Sequence, residues 1–248
     1  MMTKLSVNLN KIALIRNSRQ NGIPNLIDFV QLAINSGADG ITVHPRPDQR
    51  HATKNDVFQI KRFLLEHSNI ELNVEGNPFH NLMDITEEFC PTQCTFVPDD
   101  INTLTSNSGW DLEKYGKKLS PLIKRLQDRG IRVSLFMEPN SEAMDQAHEL
   151  GVDRVELYTE PYAVAYAKQR AQEILPTYLE SSSRACALGM GINAGHDLNK
   201  DNLRLFLSTV PNVSEVSIGH AIVVDSLHRG FSSVVKEYKD ITSGKNSS

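Results

Sequence analysis

The sequence predicts an α/β fold, a single (β/α)8 barrel of the TIM type, and three observations carry that expectation. Eight short apolar or β-branched runs alternate with helical patterns from Leu5 onward. Three of those helical patterns run into glycine turns just before the next strand: Ser36-Gly37-Ala38-Asp39, Arg129-Gly130-Ile131 and Leu150-Gly151-Val152-Asp153. Glycine there supplies the left-handed C-cap, as in the αβ loops on the lower face of a barrel. Finally, no low-complexity linker divides the 248 residues, a length that suits one barrel although it also allows two smaller domains. A doubly wound open sheet of similar content is the alternative, because periodicity does not reveal closure.

Taken in order, the strands are expected at Leu5–Leu9, Gly40–Val43, Ile70–Val74, Gln93–Val97, Arg132–Phe136, Arg154–Leu157, Gly191–Asn193 and Glu215–Ile218. Helices are expected at Asn25–Ser36, Asp56–His67, Leu82–Phe89, Leu112–Arg129, Ser141–Leu150, Ala163–Leu188, Leu198–Leu207 and Ala221–Tyr238. The stretch from Ala163 to Leu188 is long for one helix and contains Pro176, which predicts two helical pieces. Pro98 to Trp110 is a long polar loop after the fourth strand, a candidate cover for a site. The barrel is assigned residues 1–241, and residues 242–248 have the composition of a disordered tail.

A net charge of −4 with no basic run gives no electrostatic footprint for nucleic acid. No apolar run approaches the ~20 residues that span a bilayer, and the amino terminus lacks a signal-type apolar segment, so a cytoplasmic protein is expected. Cys90, Cys94 and Cys186 are odd in number and suit reduced thiols. The Cys90/Cys94 spacing is open to zinc, but it has no second Cys/His pair, and a helix end followed by a buried strand explains it as well.

The chemistry gathers at the expected carboxyl ends of the strands, where parallel α/β folds build their sites. Ile41-Thr42-Val43 runs into His44, Arg46 and His51, with Pro45 and Pro47 holding the connection extended. His196 and His220 end the seventh and eighth strands, behind Gly195 and Gly219, which let backbone N–H groups approach a ligand. In Ile70-Glu71-Leu72-Asn73-Val74-Glu75, alternation turns Glu71 into the barrel as a possible general base, while Glu75 falls nearer the rim, where solvation is the blander reading. Val155-Glu156-Leu157 repeats the device on the sixth strand. Asn8, Asn10 and Lys11 stand at the mouth of the first strand, and Arg19, Arg46 and Arg50 could grip phosphate oxygens. No lysine is expected inside a strand, which speaks against a Schiff-base aldolase. His67, His80, His148 and His228 are assigned nothing.

These motifs in this order resemble the pyridoxine 5′-phosphate synthase family over nearly the whole chain. They are Val7-Asn8-Leu9-Asn10-Lys11-Ile12-Ala13, Arg16-Asn17-Ser18-Arg19, Gly37 to His44 with Arg46, Arg50 and His51, Asn69-Ile70-Glu71-Leu72, Val133 to Phe136, Val155-Glu156-Leu157, Asn193 to His196 and Ile218 to Ala221. The resemblance implies a (β/α)8 barrel condensing 1-deoxy-D-xylulose 5-phosphate with 3-amino-2-oxopropyl phosphate, with release of phosphate and water and without metal or organic cofactor. By position it implies His44 and Glu71 as general bases, His196 as general acid and Glu156 as the stabiliser of cationic intermediates. Asn8, Arg19, Gly219, His220 and the backbone at Asp197 would hold the amino-ketone phosphate. Asn10, Lys11, Arg46, His51 and Thr105 would hold the xylulose phosphate. Asn10-Lys11 departs from the frequent Asp-His of the family, Asp197 from its frequent Gly, and the loop before Thr105 is lengthened. The family also implies a homo-octamer of barrels. Two other readings compete: a phosphosugar isomerase or epimerase, which would use the same Glu and His groups at one phosphate site, and a catalytically inactive phosphosugar-binding barrel.

Overall fold

The computed structural model describes residues 2–100, 106 and 108–245. Eight parallel strands close into a barrel in sequence order, each pairing with the next and β1 pairing with β8. They are β1 Lys4–Asn8, β2 Gly40–Val43, β3 Glu71–Gly76, β4 Gln93–Phe96, β5 Arg132–Met137, β6 Arg154–Tyr158, β7 Gly191–Gly195 and β8 Val213–Ile218. All eight expected strands are present, and closure decides against the open sheet.

The period-2 pattern of each strand separates two environments. Leu5 and Val7, Ile41 and Val43, Leu72 and Val74, Val133 and Leu135, Val155 and Leu157 are fully or almost fully buried in the shell of apolar side chains shared with the helices. The alternate residues face the lumen and most are polar, whereas branched aliphatics usually fill such barrels. Most of them bond to one another. Ser6 and Thr42 share a hydroxyl hydrogen bond of 2.7 Å, Thr95 Oγ1 donates to Asn73 Oδ1 at 3.0 Å, and Arg132 Nε donates to Gln93 Oε1 at 2.8 Å. A polar lumen survives in a fold because these bonds replace the water it lost.

The helices are α1 Asn10–Asn17, α2 Leu26–Asn35, α3 Lys54–Phe63, α4 Leu82–Phe89, α5 Leu112–Gln127, α6 Ser141–Glu149, α7 Glu160–Ala167, α8 Ala171–Ala187, α9 Leu203–Thr209, α10 His220–Arg229 and α11 Phe231–Thr242. Side chains start several of them where the sequence offers caps: Asn25 accepts from Ile27 N–H, and Thr53 with Asp56 forms a capping box on α3. The expected first βα loop is helical, so Arg16 lies on α1 and grips Asp56 with two guanidinium nitrogens. Two helical pieces do replace the run from Ala163 to Leu188, but they begin at Glu160 and divide at Lys168 to Arg170, leaving Pro176 inside α8. The single helix expected after β8 is also two, divided at Gly230, whose φ of 80° suits glycine.

Two expectations need correction at chain ends. Lys4 is the first residue of β1, so a strand does hold a lysine. Thr242 is the buried last residue of α11, and backbone bonds from Ser243, Gly244 and Lys245 close that helix, so the tail cannot begin at 242. Residues 246–248 lie outside the described ones.

Candidate active site

A cavity of about 480 Å³ opens at the carboxyl ends of the strands, within the range typical of small-molecule sites. From the residues expected there, the fold brings Asn8, Asn10, Lys11, His44, Arg46, His51, Glu156, His196, Asp197, Gly219 and His220 to its wall. Arg19 is exposed and does not line it, and Thr105 lies outside the described residues.

Each wall element is held from behind. Asn8 Oδ1 accepts from the Asn10 N–H at 3.0 Å where β1 turns into α1, and Asn10 Oδ1 accepts from the His44 N–H at 2.8 Å. The Asn10 side chain therefore ties the end of β2 to the start of α1, a task that an Asp at this place would do equally well. Arg46 and Asp99, both buried, form an ion pair, and Ser106 Oγ donates to the same Asp99 carboxylate at 2.8 Å. His44 and His51 meet edge to face with ring centroids 5.8 Å apart. His196 sits against Phe136 and Tyr158, with centroids at 5.2 and 5.4 Å.

After β7 the backbone takes positive φ at two consecutive non-glycine residues, 83° at His196 and 56° at Asp197. Thr159 Oγ1 donates to the carbonyls of Gly195 and His196, and Asn202 Nδ2 donates to that of Asp197, so the turn is pinned from both sides. Asp tolerates the left-handed region better than most residues, which suits it to this turn. Gly195 itself is required for another reason: a Cβ there would come within 2.3 Å of Glu156 Oε1.

Burial sets the protonation states. Desolvation lowers the pKa of His44 well below that of a free imidazole, helped by Arg46, His51 and His196. Burial and the Arg46 charge push His51 down to about 4. His196 is also lowered by burial, with Asp197, Asp99 and Glu160 opposing. In the other direction, burial and then Glu215 raise Glu156 to about 8. At neutral pH the imidazoles of His44, His51 and His196 and the carboxyl of Glu156 are thus uncharged, and a bound dianionic phosphate would pull those imidazoles toward the protonated form.

The structure corrects Glu71. Its carboxylate lies at the amino-terminal end of β3, at the opposite mouth of the barrel, in ion pairs with Lys4 and Arg132, and it does not line the cavity. Burial works to raise its pKa, but the hydrogen bonds from Lys4 and Arg132 outweigh it and hold the group below the usual carboxylate range. A carboxylate held in that way is a poor base. Glu71→Gln is therefore expected to cost about 1–3 kcal/mol of stability, as loss of one partner in a half-buried network does, with turnover reduced only a few-fold. Chemical unfolding beside a steady-state assay checks this, and a collapse of turnover at unchanged stability would return Glu71 to the mechanism.

The carboxyl that β3 does bring to the cavity is Glu75, four residues further along the same face. Burial, Glu156, Asp99 and Glu215 raise its pKa well above the usual range against the opposing Arg46. Ser106 and Ser217 also reach the wall unannounced by the sequence. Among the described residues no group of three His, Cys, Asp or Glu is placed to hold a metal ion. Cys90 is exposed at the end of α4 and Cys94 is buried on β4.

The model of the pyridoxal phosphate biosynthesis protein PdxJ family matches residues 5–244. The chain belongs to the PdxJ family. A pyridoxine 5′-phosphate synthase from Albidiferax ferrireducens is 48% identical over 243 residues, covering 96% of each chain. Another from Porphyromonas gingivalis is 45% identical over 239 residues, covering 96% of this chain and 98% of the relative. Among solved structures, phosphoribosyl anthranilate isomerase from Thermotoga maritima superposes with a TM-score of 0.60 at 15% identity, covering 98% of this chain and all of the other. Tryptophan synthase from Mycobacterium tuberculosis gives 0.65 at 10% identity, over 98% and 93% of the two chains. At those identities the likeness is one of fold. In this chain the strand-end histidines, Arg46 and Glu156 share one cavity wall.

Proposed function

We propose that the chain is a pyridoxine 5′-phosphate synthase, joining 1-deoxy-D-xylulose 5-phosphate to 3-amino-2-oxopropyl phosphate and closing the pyridine ring with loss of phosphate and water. The observation that carries this reading is one cavity lined by two separate anion-attracting groups together with uncharged acid–base side chains. One group is Lys11 and Arg46 with His51. The other is Gly219 and His220, which open α10, whose first-turn N–H groups favour an anion. Two phosphates need two such groups, whereas an isomerase needs one.

In this reading Lys11, Arg46, His51 and Asn10 hold the xylulose phosphate, and Asn8, Gly219, His220 and the Asp197 backbone hold the amino ketone. The lowered His44 is a free base at neutral pH, able to take a proton from carbon beside a carbonyl. His196 becomes an acid once a phosphate dianion raises its pKa. Glu156, neutral in the empty site, ionises when an iminium cation forms beside its Oε2, which has no hydrogen-bond partner among the described residues. Arg19 is exposed and does not line the cavity. No helix among the described residues is long and apolar enough to cross a membrane; a cytoplasmic homo-oligomer, an octamer by family resemblance, completes the reading.

The test mixes the purified chain with both phosphates and follows pyridoxine 5′-phosphate and inorganic phosphate. Equal amounts of the two products are expected; turnover of either substrate alone to an isomer would replace the synthase with the isomerase reading.

A further inference from the structure

The four glutamates of the barrel lumen fall into two pairs. Glu71 and Glu215, at the amino-terminal mouth, are matched by cations: Lys4 and Arg132 hold Glu71, and Arg154 stands 3.6 Å from Glu215. Gln93 Nε2 also donates to Glu215, at 3.4 Å. Glu75 and Glu156, at the other end, both line the cavity. Neither of these two makes an ion pair among the described residues, and Glu75 accepts no hydrogen bond there. A carboxyl brought to a reaction cavity with nothing bonded to it among the described residues is not bracing the barrel. Below it, Asn73 bonds to Thr42 and Thr95 rather than to Glu75.

Resting on the synthase reading, we propose that Glu75 is a further catalytic residue, the general acid that gives its proton to a hydroxyl leaving as water. The surroundings keep the acid loaded. Glu156 from β6, Asp99 from the loop after β4 and Glu215 from β8 disfavour a charge on Glu75, and Arg46 is the cation that opposes them. Cys94 of β4 feels Glu75 from the side, and His44, His51, His196, His220, Lys11 and Asp197 are the other titratable groups on the cavity wall.

The step balances within the protein. His44 takes the proton from a ring carbon, and the electrons of that C–H bond form the new C=C bond. The neighbouring C–O bond breaks with its pair on oxygen, the Glu75 proton joins that oxygen, and water departs. Proton return from the His44 imidazolium to the Glu75 carboxylate resets both groups, and Arg46 shares the transient negative charge.

Glu75→Gln keeps the shape of the neutral acid and removes only the transferable proton. Its kcat is expected to fall by about 10²–10⁴-fold while xylulose-phosphate binding, measured by calorimetry, stays within about three-fold. Glu75→Asp, one methylene short but still an acid, recovers part of the loss. A Glu75→Gln enzyme with wild-type kcat overturns the proposal, as do Gln and Asp variants that both lose binding, which marks a packing role. Should the Gln variant fail to fold, as seen by circular dichroism, the Asp variant decides alone: kcat reduced at unchanged binding supports the acid, and unchanged kcat sinks it. Wild-type chain assayed in parallel separates the levels, because absence of any product there removes the synthase reading itself.

Discussion

Arg46→Ala is expected to unfold the protein about 3–5 kcal/mol more easily and to abolish measurable binding of the xylulose phosphate. The stability effect comes from the pair with Asp99, whose two side chains are only 5% and 3% exposed. Removing the guanidinium strands a buried carboxylate, which costs far more than the intact pair gains. Among the described residues Ser106 alone would then face Asp99, and one hydroxyl donor cannot replace a cation. The binding effect is separate in origin, because Arg46 also forms the cavity wall beside His44 and His51. The double variant Arg46→Ala/Asp99→Asn divides the two. It should regain most of the stability in a urea titration, since no buried charge is left alone, and regain none of the phosphate affinity. Binding of the amino-ketone phosphate, at the Gly219 end, should change much less than that of the xylulose phosphate. Equal weakening of both would mean one shared phosphate site.

The difference between Glu71 and Glu75 marks where sequence reading stops. Alternation along Glu71-Leu72-Asn73-Val74-Glu75 correctly turns residues 71, 73 and 75 toward the lumen. Parity says which face a side chain takes and is silent on depth along the barrel axis. Depth follows from strand register, and here Glu71 pairs with Gly40 while Val74 pairs with Val43, next to His44. Four residues of strand rise, roughly 13 Å, then separate Glu71 from Glu75. The cations that occupy Glu71 come from positions 67 and 61 residues away, so no local pattern could announce them.

The strand-end histidines were legible because their signals are local: a β-branched run stopped by Pro45, or a glycine just before His196 and His220. The turn at the end of β7 gave no such signal. The sequence offers Gly195 as the permissive residue, yet Gly195 is extended strand, and the left-handed conformations fall on His196 and Asp197. Space for Glu156, not backbone freedom, explains that glycine. In the same way α1 escaped notice because its nucleation depends on Asn8 turning back onto the Asn10 N–H, and Leu9 offers no side-chain cap.

Stability should fall as pH rises from 6.5 to 8, and Glu156→Gln should flatten that fall. Glu156 titrates at about 8 in the folded chain against 4.5 for a free glutamate, so the folded state binds its proton more tightly. That contribution is complete below pH 4.5 and is lost as pH climbs to 8, because over that interval only the unfolded chain has released the proton. The buried histidines act with the opposite sign. His44, His51 and His196 are lowered in the folded state, so below 6.5 the unfolded chain takes up protons that the folded chain refuses, and acid destabilises. Between about 4.5 and 6.5 the two trends offset each other; above 6.5 the histidines are neutral in both states and only the carboxyls remain. Each proton there is worth roughly 1.4 kcal/mol per pH unit, or about 3–5 °C of melting temperature for a chain of this size. Glu75 has the same sign and Glu215 adds to it, so the wild-type slope should exceed that of one group. Melting curves at half-unit steps from pH 6 to 8 read the slopes directly. Replacing Glu156 by Gln subtracts one proton's worth; identical slopes in the two proteins would mean that Glu156 is ionised in the empty cavity, and with it would go the picture of an uncharged site awaiting its phosphates.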